Sequence, residues 1–84
     1  MTAEEFITSK VEDKFEGLDE EEWVYSITRN ERQTLTEVKW QHLKNGKAYE
    51  VNFSFKDGTE GSFIEKRIHI MFEEFKTDAT RVVA

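Results

Sequence analysis

The chain has no cysteine, no proline and only four glycines in 84 residues, and no apolar run approaches the roughly 18 residues that a membrane-spanning helix needs. Without cysteine there is neither a disulfide framework nor a thiolate metal site, and small secreted domains usually rely on one or the other. A cytoplasmic location is therefore expected. The first residues, Met1-Thr2-Ala3-Glu4-Glu5, carry neither the basic nor the apolar stretch of a signal peptide. Repeats, linkers and breaks in composition are absent too, so one domain is expected over residues 1–76, with a tail at 77–84 in which Val82 and Val83 are free to dock.

Catalytic signatures are also missing. The chain has no P-loop, no G-x-S-x-G and no H-E-x-x-H, and its two histidines, His42 and His69, stand far apart. His42 beside Tyr49 offers an acid/base pair only in principle. An amphipathic histidine at a core edge is the simpler reading, and His69 reads as a solvated surface residue. The run Asp19-Glu20-Glu21-Glu22 lacks the alternating ligands and the glycine of a calcium loop, and Asp57-Gly58 reads as turn chemistry. The expectation is a non-enzymatic protein with no cofactor and no metal.

What is present is a core. Hydrophobic residues make up 37% and aromatics 13%, with seven Phe and two Trp, which is too rich for a disordered chain despite 36% charged residues. Thr2 with Glu5 forms a capping box and Gly17 suits a helix end, so a first helix is predicted over 3–16. Ala3, Ile7, Val11 and Leu18 line its apolar side, with Phe6 and Phe15 at the margins. Asn45-Gly46 is the preferred two-residue hairpin turn. If Lys44 opposes Lys47, then His42, Trp40, Val38 and Thr36 face Tyr49, Val51, Phe53 and Phe55 on one side of the sheet. Trp23–Thr28 forms a preceding strand, joined through Arg29-Asn30-Glu31-Arg32, with Trp23 opposite Val38 and Tyr25 opposite Thr36. Ser62 and Glu65 suggest a second capping box, and Ile64, Ile68, Met71, Phe72 and Phe75 recur at helical spacing over 62–76. The alternation of Ile68, Ile70 and Phe72 leaves a fourth strand as the alternative there. The predicted fold is α+β, a three-stranded antiparallel meander with two helices on one face, in the order α-β-β-β-α.

That order resembles the topology of double-stranded RNA-binding domains, which would imply an RNA partner. Those domains open their second helix with lysines, whereas this chain offers Ser62-Phe63-Ile64-Glu65-Lys66-Arg67. Its acidic first helix repels phosphate as well. Lys39, Lys44, Lys47 and Lys56 around the hairpin alternate with Glu37 and Glu50, which weakens any field they make.

Charge narrows the class of partner. The net charge is −6, and residues 1–22 hold nine acids against two bases, while the other 62 residues hold nine acids and ten bases. Glu5, Glu12 and Glu16 fall on one side of the first helix, and Asp13, Asp19, Glu20, Glu21 and Glu22 continue the acidic series up to Trp23. Acids of this kind commonly form only a solvated face that keeps a small protein dissolved. Ordered carboxylates can also stand in for DNA phosphates before a basic surface. The leading expectation is accordingly a DNA-mimic inhibitor of a basic, nucleic-acid-binding protein, of the phage-type host-takeover, anti-restriction or anti-CRISPR class, with those eight acids as contacts. The alternative is a homodimeric interaction domain in which Phe63 and Ile70, seven residues apart and off the main apolar stripe, form the dimer seam or else contact the first helix.

Overall fold

The computed structural model describes residues 2–83, with side chains through Arg81. Its elements follow the order α1 (Ala3–Phe15), β1 (Trp23–Asn30), β2 (Leu35–Lys44), β3 (Lys47–Lys56) and α2 (Gly61–Val83). The strands form one antiparallel sheet in the order β1-β2-β3. No described helix is long and apolar enough to cross a membrane.

Local chemistry sets most of the boundaries. The Thr2 hydroxyl accepts the Glu5 N–H at 3.1 Å, which satisfies one of the free donors at the start of α1. At the other end Gly17 adopts φ +84°, a conformation that costs glycine little and side-chain-bearing residues more. The second capping box does not form, because α2 begins one residue earlier than expected. Ile64 N–H bonds to the Glu60 carbonyl at 3.0 Å, so Glu60 takes the cap position and Ser62 lies inside the helix.

The β2–β3 hairpin has the expected register throughout, from Lys44↔Lys47 to Leu35↔Lys56. Asn45 at φ +56° and Gly46 at φ +74° supply the two left-handed residues that this turn requires. The β1–β2 register differs from expectation by four residues: Trp23 opposes His42 and Tyr25 opposes Trp40. The strand runs on to Asn30, and the turn is Glu31–Thr34, where the Asn30 side chain accepts the Gln33 N–H at 3.0 Å and Thr34 takes φ +52°. An even offset keeps the same side chains inward, so the apolar face survives the change.

The far end of α2 departs most from expectation. Residues 77–83 continue the helix rather than forming a loose tail, and Ala79 is fully buried. The helix also settles Ile68–Phe72, which is not a strand. Docking of Val82 and Val83 lies outside the described side chains.

Both helices cover the face formed by Thr36, Val38, Trp40 and His42 of β2. Ile7, Val11 and Phe15 come from α1, and Ile64, Ile68, Phe72, Phe75 and Ala79 from α2. Phe15, expected at the margin, is central: its ring lies 5.0 Å from Tyr25, 5.2 Å from Phe72 and 6.0 Å from Trp40. Ala3, expected on the apolar side, is exposed. The outer sheet face is open and polar, with Gln41 and Asn52 both donating to Glu50 and Lys39 3.1 Å from it. At the far end of the sheet the Arg29 guanidinium grips both carboxylate oxygens of Asp57, at 2.5 and 2.6 Å.

Two outcomes follow. Trp40→Ala should cost about 3–5 kcal/mol, and Phe53→Ala less, since Phe53 is only partly buried at the flank of Trp40; urea melts give both values. Equal losses would place the centre of the core elsewhere. The Arg29 bond holds the Asp57 carboxyl below its ordinary range, so its contribution to stability is present above that range and fades as pH falls through the lowered value. An Asp57→Asn variant should therefore show a shallower loss of melting temperature below about pH 4 than the parent, because the unfolded carboxyl titrates near there. An identical acid limb would mean that the pair contributes nothing.

Candidate acidic site

The two lysines of α1 turn toward α2. Lys14 Nζ donates to His69 Nδ1 at 2.8 Å, and Lys10 lies 3.6 Å from Glu65. His69 is exposed, as expected, but it joins the helices rather than standing free in solvent. Both bases are drawn to that side, where Asp13 also lies beside them; Glu12 and Glu16, toward β1, form no ion pair among the described residues.

There the end of α1, the following loop and β1 enclose a concavity of about 380 Å³, lined by Glu12, Asp13, Glu16 and Glu20 around Phe15, Leu18, Trp23 and Tyr25. None of these eight residues is basic. Four carboxylates thus rim a floor that is largely aromatic. The Tyr25 hydroxyl is held above its usual range, first by burial and then by the carboxylates of Glu12 and Glu20, which would repel the phenolate. Such an arrangement suits a lysine or arginine side chain, whose charge would meet the carboxylates while its stem or guanidinium plane lies against the rings.

The eight acids singled out in the sequence divide into three groups. Glu12, Asp13, Glu16 and Glu20 converge on the concavity, whereas Glu5 and Glu21 are exposed but do not line it. Asp19 and Glu22 serve the fold. The Asp19 side chain accepts the Glu21 N–H at 2.9 Å, and its carbonyl accepts the N–H groups of Glu22 and Trp23. Glu22 Oε1 lies 2.7 Å from Nε2 of the buried His42, whose ring stacks on Trp23 at 3.9 Å. A carboxylate acceptor requires the proton on Nε2, which in a neutral ring leaves Nδ1 as a bare, buried acceptor with no partner among the described residues. His42 therefore anchors the loop, and its bond is to Glu22 rather than to Tyr49.

Sequence reasoning placed Trp23 and Tyr25 on the inner sheet face without seeing that they also floor the acidic concavity. The signal was the carboxylate run ending directly at Trp23. Among the hairpin lysines, Lys39 is held by Glu50 and Lys44 faces Lys47 across the strands. No group of three or more histidine, aspartate or glutamate side chains among the described residues is arranged to hold a metal ion.

Structural and surface acids should separate in stability. Glu22→Ala strands the buried His42 donor and should cost about 1–3 kcal/mol, while Glu21→Ala should change little. Denaturant melts of the two variants measure the difference, and equal melts would show that the Glu22–His42 bond does not hold the loop. In comparisons with family models, with curated proteins and with solved structures, the chain matches none.

Proposed function

We propose that this chain is a non-catalytic acidic binding protein that occupies the basic surface of a nucleic-acid-binding protein. It acts as a DNA mimic, in the manner of anti-restriction or anti-CRISPR inhibitors. The observation that carries this reading is the concavity rimmed by Glu12, Asp13, Glu16 and Glu20 with no base among its lining residues. Carboxylates over an aromatic floor supply both long-range attraction for a basic surface and a seat for one of its side chains. Glu5 and Glu21 extend the field beyond the seat, whereas Asp19 and Glu22 act through the fold.

Four neutralising changes, Glu12→Gln, Asp13→Asn, Glu16→Gln and Glu20→Gln, keep side-chain size at exposed positions. Each exposed ion pair lost is worth roughly 0.2–1 kcal/mol, so binding should weaken by about 1–4 kcal/mol. Proteins captured from a cell lysate by the parent should be nucleic-acid-binding proteins, released by salt and displaced by duplex DNA, since surface charges are screened within about 10 Å at 0.1 M. The quadruple variant should retain little of this set. Unchanged capture by the variant, or a captured set that duplex DNA never displaces, rules the mimic out.

A further inference from the structure

Helix α2 has two apolar sides. Ile64, Ile68, Phe72, Phe75 and Ala79 are buried against the sheet and α1, yet Phe63 and Ile70 remain 54% and 46% exposed. Neither is among the hydrophobic side chains packed against the core that α1 and α2 share with the sheet. At 100° per residue, Phe63, Lys66, Arg67, Ile70, Glu73, Glu74 and Thr77 form one stripe centred on Ile70, roughly opposite the buried side.

The charge order along this stripe is distinctive. Two bases, Lys66 and Arg67, precede Ile70, and two acids, Glu73 and Glu74, follow it at matching distances. Turned end for end about Ile70, the stripe complements itself. We propose that α2 is a homodimer interface, in which the helices of two copies pack antiparallel about a two-fold axis through Ile70.

Lys66 and Arg67 of each copy then stand beside Glu73 and Glu74 of the other, Ile70 meets its own symmetry mate, and Phe63 covers the region of Thr77. A parallel pairing would set bases on bases and acids on acids. A two-fold interface uses the same patch on both copies, so a patch that is its own electrostatic complement fits a second copy in particular. The stripe shares no residue with the acidic concavity, so a dimer would carry two free sites. A single helix pair is a small interface, and dissociation in about the micromolar range is expected.

Analytical ultracentrifugation of the full chain tests this. The parent should self-associate, and Lys66→Glu/Arg67→Glu and Glu73→Lys/Glu74→Lys should each weaken association by ~10-fold or more. An equimolar mixture of the two variants should form a heterodimer, because every pair across the axis is then opposite in sign. In this cysteine-free chain, Ile70→Cys should also give a disulfide-linked dimer under mild oxidation, while Phe63→Cys should not, since only a residue on the axis meets its own copy. The cross-linking result stands even if a charge variant fails to fold. A parent that stays monomeric at high micromolar concentration, a mixture that does not associate, or faster cross-linking at Phe63→Cys than at Ile70→Cys overturns the proposal.

Discussion

The structure turns on one side chain, Trp40, at the middle of the central strand. It is fully buried, and its ring lies 4.8 Å from Phe53 on β3, 6.0 Å from Phe15 on α1, and 5.5 and 5.6 Å from Phe72 and Phe75 on α2. A chain of this size has room for only one core, and here both helices meet the sheet at the same residue. The indole N–H has no hydrogen-bond partner among the described residues. Burying an unpaired donor is unfavourable, and what offsets it is the large area of ring removed from water together with the edge-to-face contacts of its neighbours.

The charge pattern depends on this packing. Phe15 reaches Trp40 only if the last turn of α1 lies over the sheet, and that rotation carries Glu12 and Glu16 toward the β1 side while Lys10 and Lys14 face α2. The core thus sorts the charges of α1. Ten residues separate Glu12 from Trp23 in sequence, yet the loop held by Asp19 and the Glu22–His42 bond folds back so that the two line one hollow. A stretch of acids that would be a plain solvated face on an isolated helix becomes a rim with a floor.

How much of this could be read in advance depended on where the information lies. Asn45-Gly46 sets one hairpin register by local backbone chemistry, and alternation on both strands confirms it, so the inner face was legible residue by residue. The β1–β2 turn has no glycine. It closes through the Asn30 side chain and a left-handed Thr34, features that turn propensities do not mark, and the expected register slipped by four residues. That slip hid the Glu22–His42 bond, because with Trp23 opposite Val38 the neighbouring Glu22 lies far from His42. The end of α2 was hidden for another reason. Thr77-Asp78-Ala79-Thr80 offers no bulky apolar residue, and its one inward position is an alanine.

The acidic site was half legible on the same grounds. Composition and helical spacing reveal which residues are acids and which side of α1 they occupy, since both are local properties. Whether an acid is free or engaged depends on partners distant in sequence, and spacing cannot supply that. Asp19 and Glu22 look the same as Glu20 and Glu21 in the sequence, yet the first two hold a turn and a buried histidine while the other two face solvent. The division has a physical basis. A carboxylate at the foot of a strand sits within reach of free backbone N–H groups and of cross-strand side chains, and forming those bonds fixes the loop. The carboxylates of Glu20 and Glu21 between them, exposed on the same turn, have no such partner among the described residues, and their charge stays open to solvent.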